Sequence, residues 1–410
     1  MKKYVILIFF LIFFLNWSFG QEKPYVLIVS FDGFRHDYVE RFDLPNFKGF
    51  INEGSQAEAL IPSFPSKTFP NHYAIITGLY PGHNGLVDNQ FYDIKRKEFF
   101  TMREREKVTD KYYYGGVPLW TLAQQHGMKT ASYFWVGSES PTEGDHPDYY
   151  YTYDESVPFE TRVTKVAEWL KLPEMERPQF ITLYFSSPDH ESHGFGPLSE
   201  EARLAAVRMD SLLGMLMTQI EKIDLPVNTL LVSDHGMKEL TFRDETFIFL
   251  DEIMDLKNKS IIWSNGGTQT HIYTKSKDQA DSLFEVIKAK QKHFTVLRKS
   301  QYKEEWNFDH YRSGDLMLTA DPGFYIYERN RKHLMKKQEL GTKMGVHGYD
   351  PLMEPDMHGI FYAKGPNVQN GVVLPPFQNI HIYPFIAQIL GLEVPSIDGE
   401  AEVLNPILKK

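Results

Sequence analysis

The 410-residue chain contains no cysteine. That absence excludes disulfides and a lipidated N-terminal cysteine, so an exported form must be stable without covalent cross-links. Positive charge is also scarce, with 44 Lys and Arg against 54 Asp and Glu and a formal net charge of −10. A protein that grips duplex nucleic acid usually carries a basic face, so the balance argues against that partner class. Small anionic substrates remain compatible, because a bound metal ion would dominate the local field. No Gly/Ser-rich linker, internal repeat or low-complexity run divides the chain. The one long apolar run is Tyr4 to Leu15, which follows Lys2 and Lys3 and precedes Ser18-Phe19-Gly20. Residues 1–20 therefore read as a signal peptide, too short for a comfortable membrane span and leaving none after cleavage. The expected location is periplasmic or secreted; the pattern does not specify an oligomeric state.

What is present is a set of Asp and His residues placed where apolar runs end. Residues 25–31 (YVLIVSF) stop at Asp32-Gly33, residues 229–233 (TLLVS) at Asp234-His235-Gly236, and residues 180–185 (FITLYF) run into SSPDHESH. Such short continuous apolar runs read as buried parallel strands, and open α/β sheets carry function at the carboxyl ends of their strands. Asp189 and His193 have the spacing of one helical turn. His347 lies between glycines in GVHGYD. Each fragment has a duller reading: a turn for Asp32, a solvated helix start for Asp189, a loop hydrogen bond for Asp234-His235, a turn for His347. Their co-occurrence points instead to a metal centre, and a mixed carboxylate and imidazole set suits Zn²⁺ better than Ca²⁺ or Mg²⁺.

Thr68 supplies a hydroxyl just before FPNHYAII, where Pro70 and the apolar spacing predict a helix start. A helix N-terminus favours an alkoxide and a bound phosphoryl oxygen. The alternative is that Thr68 or Ser66 only caps the helix.

The segments VSFDGFR (29–35), PSFPSKTFPNHYAIITGLYPGHNGLVDNQFYD (62–93), LYFSSPDHESHGFGP (183–197), LLVSDHGM (230–237) and GVHGYDP (345–351) together resemble the nucleotide pyrophosphatase/phosphodiesterase family of the alkaline phosphatase superfamily. The resemblance covers nearly the whole chain after residue 20. It implies two zinc ions, one on Asp189, His193 and His347 and the other on Asp32, Asp234, His235 and the Thr68 oxygen. It further implies in-line attack by Thr68, a covalent threonyl ester, its hydrolysis by a zinc-activated water, and Asn89 as the holder of a non-bridging phosphoryl oxygen. Sulfatases and phosphoglycerate mutases of the superfamily use a modified cysteine or a serine and fit less well. Vertebrate members of the family are cysteine-rich, so the cysteine-free chain suggests a bacterial one. His36, His72, His83, His190 and His358 match no ligand position, although His190 lies within the metal loop. Asp210 reads as a solvated or outlying carboxylate on an amphipathic helix.

Residues 130–161, the stretch that lines the substrate pocket in that family, contain no Lys or Arg. Phosphomonoesterases meet a dianion with such cations, so the gap favours diesters and phosphoanhydrides. Aromatics replace them, with Trp135 and Tyr149, Tyr150, Tyr151 and Tyr153 in the stretch. The resemblance places a nucleotide base in a slot of Phe69, Tyr153 and Tyr184. Expected substrates are nucleoside triphosphates, cut to monophosphate and pyrophosphate, and dinucleoside polyphosphates. The competing expectations are a choline or glycerol phosphodiesterase, since an aromatic cage also suits choline, and an alkaline phosphomonoesterase.

The expected fold is α/β: an alkaline-phosphatase-like core with a mainly parallel sheet covered by helices on both faces. Residues 21–405 are expected to form one catalytic domain, since the ligands come from both halves. An α+β insertion is expected at about 250–340, where the runs HIYTKS, FTVLRK and GDLMLTA flank a helix around 278–291 that directs Ala280, Leu283, Val286 and Ile287 inward. Its position between His235 and His347 suggests a rim or lid.

Overall fold

The computed structural model describes residues 23–140, 146–334 and 339–409. The signal-peptide expectation for residues 1–20 lies outside them.

Eight strands form the central sheet: β1 (Tyr25–Phe31), β2 (Ser55–Ala57), β3 (Thr130–Tyr133), β4 (Tyr149–Tyr150), β5 (Phe180–Phe185), β6 (Val227–Val232), β13 (Phe361–Lys364) and β14 (Val373–Leu374). Their order is β14-β2-β13-β6-β1-β5-β3-β4. Only β13 runs against its neighbours, pairing antiparallel with β6 and β2, while β1 pairs parallel with both β5 and β6. The apolar run of β1 is continuous because both of its faces are covered. Val26 and Ile28 pack into one core with Ile75, Ile76, Phe385 and Ile386, whereas Leu27 and Val29 face a second core with Phe47, Val166 and Leu213. The helices α1 (Pro45–Asn52), α4 (Phe159–Leu170) and α6 (Glu200–Ile220) cover that second face, and α2 (Thr68–Thr77), α3 (Leu119–Gln125) and α8 (Ile382–Leu390) cover the first.

β1 and β5 have the bounds read from their apolar runs, whereas β6 begins two residues before its run and ends one residue before Ser233. The Ser233 hydroxyl leaves the ladder to donate to the His235 carbonyl at 2.7 Å, which turns the chain toward the site.

Between β7 (Lys238–Thr241) and its antiparallel partner β12 (Lys343–Val346) lies a four-stranded antiparallel sheet: β8 (Ile262–Asn265), β9 (Gln269–Tyr273), β11 (Leu316–Ala320) and β10 (Phe294–Arg298), in that order. Its helix α7 (Lys277–Lys288) buries Phe284 and Ile287. Val286, expected to point inward, is 50% exposed, and Ala280 and Leu283 are half-buried. At 100° per residue, Val286 falls about 100° from Ile287, off the stripe that positions 280, 284 and 287 share.

Candidate active site

The parallel order β6-β1-β5 brings three loops to one edge of the sheet. Asp32 follows β1, Asp234 and His235 follow β6, and α5 (Asp189–Phe195) opens the loop after β5 with Asp189 and His193 one turn apart. Neighbouring backbones lock these loops together: the Asp32 amide donates to the Phe185 carbonyl at 2.9 Å, and the Asp189 amide to the Asp32 carbonyl at 3.0 Å. Gly33 sits at φ 64°, and a Cβ there would lie 2.8 Å from the Cβ of Asp189, so the approach of the two loops requires glycine. His347 arrives from the far side of the insertion, directly after β12.

Three imidazoles are oriented by backbone carbonyls. Nδ1 of His193 lies 2.9 Å from the Gly345 carbonyl, Nδ1 of His347 3.0 Å from that of Ser66, and Nδ1 of His235 2.8 Å from that of Gly236. A carbonyl can only accept, so each Nδ1 carries the proton and each Nε2 presents a lone pair. Those lone pairs converge on carboxylates. His193 Nε2 is 3.5 Å from Asp189 Oδ2, His347 Nε2 3.8 Å from Asp189 Oδ1, and His235 Nε2 3.1 Å from Asp234 Oδ2 and 3.5 Å from Asp32 Oδ1. Asp32 Oδ1, Asp189 Oδ1 and Asp234 Oδ2 are buried without a hydrogen-bond donor.

Burial raises the Asp32 and Asp189 carboxyls well above the ordinary range, and mutual repulsion with Asp234 adds to it. Asp234 is pushed up to about 7, again by burial first. Loss of hydration draws His235 down to about 3 and His347 well below the ordinary imidazole value. Unpaired carboxylate oxygens facing imidazole lone pairs form an electrostatic hole that a divalent cation fits. The atoms close into the groups Asp189/His193/His347, Asp32/Asp189/His235 and Asp32/His72/Asp234, each with its ligand atoms within 4.8 Å of one another.

Thr68 is the first residue of α2, and Lys67 rather than Thr68 or Ser66 is its N-cap, with no side-chain cap bond. The expected capping role is therefore not what these hydroxyls do. Ser66 donates to the Tyr349 carbonyl at 2.7 Å, and Thr68 Oγ1 lies 3.2 Å from His235 Nε2, at the edge of the metal-type cluster. Asn89 Oδ1 accepts the Phe69 amide at 2.9 Å, which leaves the Asn89 Nδ2 donors for another group.

Two cavities meet at Thr68, Asp189 and His193. One, of about 620 Å³, is walled by Phe69, Phe134, Trp135, Tyr153 and Tyr184. The other, of about 570 Å³, is polar and lined by Asn89, Arg103, Asn265, Tyr325 and His347 among others. Tyr184 does more than line the wall, since its hydroxyl donates to Asp32 Oδ2 at 2.6 Å. Trp135 is 3% exposed, and its indole N–H donates to the His72 carbonyl at 3.0 Å, so it offers the cavity only part of its face. Tyr149 packs near Trp169, with ring centres 6.4 Å apart, as a loop residue would.

Sequence reasoning passed over Phe134 and set His72 aside as matching no ligand position. Phe134 takes φ 64° at the end of β3 and turns its ring to 5.0 Å from that of Tyr153. Such a backbone is uncommon for an aromatic residue and had no local signal. His72 had one, its i+4 spacing from Thr68 on one helix face. It is fully buried, with Nδ1 3.0 Å from the Thr68 carbonyl and 3.3 Å from Asp234 Oδ2 and with Nε2 2.8 Å from Ser30 Oγ. His190 is exposed, His83 pairs with Asp398 at 2.8 Å, and His358 Nε2 faces the Pro351 carbonyl at 2.8 Å. The rings of His36 and His358 lie 5.8 Å apart. Asp210, expected to be solvated, is 3% exposed and accepts from the Phe47 amide at 2.8 Å and Asn46 Nδ2 at 2.7 Å. It serves as a remote cap for α1, because free amides at a helix start demand an acceptor from wherever the fold supplies one.

A family model described as type I phosphodiesterase / nucleotide pyrophosphatase matches residues 26–350. Ectonucleotide pyrophosphatase/phosphodiesterase family member 1 of Homo sapiens is 32% identical over 95% of this chain and 42% of its own length. Venom phosphodiesterase of Macrovipera lebetinus is 33% identical over 95% of this chain and 46% of its own. The chain thus spans less than half the length of these curated relatives. The solved structure of human ectonucleotide pyrophosphatase/phosphodiesterase 5 superposes with a TM-score of 0.86 at 28% identity, covering 94% of this chain and all of that one.

Proposed function

Because the chain belongs to the type I phosphodiesterase/nucleotide pyrophosphatase family, in the alkaline phosphatase superfamily, we propose that it is a dizinc phosphodiesterase with Thr68 as its nucleophile. The observation that carries this reading is the position of Thr68 Oγ1, at a helix start, 3.2 Å from the His235 lone pair and between two cavities. Asp189, His193 and His347 would hold one zinc ion, and Asp32, Asp234, His235 and the Thr68 oxygen the other. When bound, such a pair supplies Lewis-acid stabilisation of the attacking and leaving oxygens.

The chain's own groups do the rest. The Thr68 oxygen attacks phosphorus, the bond to the leaving oxygen breaks, and a threonyl ester forms, which water then hydrolyses to restore the hydroxyl. The Asn89 Nδ2 donors hold an equatorial phosphoryl oxygen. Phe69, Tyr153 and Tyr184 stack the base, with Trp135 behind them, and the polar cavity receives the leaving group. Room on both sides of phosphorus favours a diester or anhydride over a monoester. The proposed substrates are nucleotides: nucleoside triphosphates, cleaved to monophosphate and pyrophosphate, and dinucleoside polyphosphates. The structure of a related murine protein, ectonucleotide pyrophosphatase/phosphodiesterase 5, 27% identical, was solved as an inactive threonine-to-alanine variant in complex with AMP, which supports a nucleotide in this fold. Choline or glycerol phosphodiesters are the second reading, favoured by the aromatic wall and by Glu155 beside it, since Glu139 is already paired with Arg105 of the same cavity.

Residues 21–405 would act as one catalytic unit, with ligands on both sides of the insertion at about 250–340. Export to a periplasm or beyond the cell is proposed from residues 1–20. Among the described residues no helix is long and apolar enough to cross a membrane.

The test is turnover by the zinc-loaded protein of an aryl nucleotide diester, an aryl phosphocholine and an aryl monophosphate. Preference for the nucleotide ester, lost in Thr68→Ala, is expected. Preference for phosphocholine would move the activity to the second reading, and a dominant monoesterase would overturn both.

A further inference from the structure

The insertion reaches the site through a buried ion cluster that the reaction itself does not use. Lys67 Nζ donates to both carboxylate oxygens of Asp88 at 3.0 Å and to the Gly266 carbonyl at 3.2 Å. His271, on β9, places Nε2 3.0 Å from Asp88 Oδ2 and Nδ1 3.1 Å from the Ser313 carbonyl. All three side chains are nearly or fully buried, with Lys67 3% exposed, and Lys67 and Asp88 lie in the wall of the polar cavity beside Asn89. Burial opposes charge on Asp88, but Lys67 and His271 outweigh it and hold the carboxyl below its ordinary range.

Two neighbours in sequence turn this cluster toward the chemistry. Lys67 is the N-cap residue of α2, immediately before Thr68, and Asp88 Oδ1 accepts the amide of Asn89 at 2.6 Å. The same insertion strand also grips the His347 loop. Thr268 Oγ1 donates to Gln269 Oε1 at 2.8 Å and lies 3.3 Å from the His347 carbonyl, and Gln269 Nε2 donates to the Gly348 carbonyl. Space around Lys67 is cleared by glycine: a Cβ at Gly266 would fall well inside contact distance of Nζ, and one at Gly348 would collide with Thr268 Oγ1 and Lys67 Cε.

We infer that residues 266–271 of the insertion brace the active site from behind, with His271 and Asp88 as positioning residues that fix Thr68 and Asn89 through Lys67. The insertion thus contributes a fixed strut as well as part of the polar cavity's wall, where Asn265 and Tyr325 lie. The inference rests on Thr68 being the nucleophile. A buried charge cluster costs desolvation and gives directional rigidity in return, and a misplacement of about 1 Å at a reacting group can cost about 100-fold in rate.

The experiment compares His271→Ala, His271→Gln and Gly266→Ala with the parent zinc-loaded protein on an aryl nucleotide diester, recording kcat, KM, zinc content and thermal midpoint. His271→Ala and Gly266→Ala should lower kcat about 10- to 100-fold with KM within about twofold and both zinc ions retained, and His271→Gln, whose amide N–H can reach Asp88, should recover part of the loss. Parental kcat in folded His271→Ala and Gly266→Ala, with only a lower thermal midpoint, would overturn the brace. So would a change in KM alone. Should His271→Ala fail to fold, Gly266→Ala and His271→Gln carry the same comparison. A Thr68→Ala control that still turned over would overturn the nucleophile reading, whereas an inert control beside an unimpaired His271→Ala overturns the brace alone.

Discussion

His193 Nε2 and His347 Nε2 face each other at 3.0 Å, although both rings donate through Nδ1 to backbone carbonyls and so have only lone pairs to present. Loss of hydration holds both imidazoles below their ordinary value, against the protonation that would relieve the clash. A shared cation would relieve it instead, and the orphaned Asp189 Oδ1 would supply the matching charge. The prediction is that elemental analysis finds two zinc ions per chain, that His347→Ala retains one, and that chelation lowers the thermal midpoint. A full zinc complement in His347→Ala would contradict it.

Metal uptake should release protons near pH 6. Asp234, at about 7 in the metal-free protein, is largely protonated there and must ionise to bind. Asp32 and Asp189, raised by burial as well, add to the release, and His235 and His347, held well below their ordinary value, contribute none. Affinity should therefore rise as pH increases toward and through 7. Titration calorimetry in two buffers of different ionisation heat measures the proton count, and affinity that falls between pH 5.5 and 7 would be the wrong sign.

Tyr184→Phe keeps the ring in the cavity wall and deletes the hydroxyl that donates to Asp32 Oδ2. Losing a partner that orients a metal ligand costs about 10- to 100-fold in metal affinity or activity. KM for the nucleotide ester should hardly move, which separates this role from base stacking.

Tyr153→Ala should do the reverse. Its ring stands 5.0 Å from Phe134 and 6.2 Å from Tyr184 and touches no metal-type ligand by hydrogen bond. Stacking on one aromatic face contributes about 1–3 kcal/mol, so KM for the nucleotide ester should rise about tenfold with zinc content unchanged. Equal loss on an aryl phosphocholine would show that the wall does not select bases.

Asp210→Ala removes the acceptor of the Phe47 amide and of Asn46 far from the chemistry. Leaving the Phe47 amide buried without an acceptor should lower unfolding free energy by about 1–3 kcal/mol, measured by denaturant titration. Turnover per folded molecule should stay at the parental level.

The sequence by itself determined the parts that depend on local pattern. A continuous apolar run marks a strand covered on both faces, so β1 and β5 were legible to the residue, and Asp32, Asp189 and the Asp234-His235 pair stood out because they end such runs. Helix period likewise placed Ile287 inward, but it misassigned Val286 and omitted Phe284, because the stripe that is buried depends on which sheet α7 meets. Tertiary structure alone decided which lone pair each histidine offers, since the carbonyls of Gly345 and Ser66 that fix His193 and His347 come from distant segments. It also turned Phe134 into the aromatic wall, seated Asp210 under α1 and set His271 against Asp88. Burial, tautomer and the partner of a buried charge are properties of what surrounds a residue, and those surroundings exist only once distant segments meet.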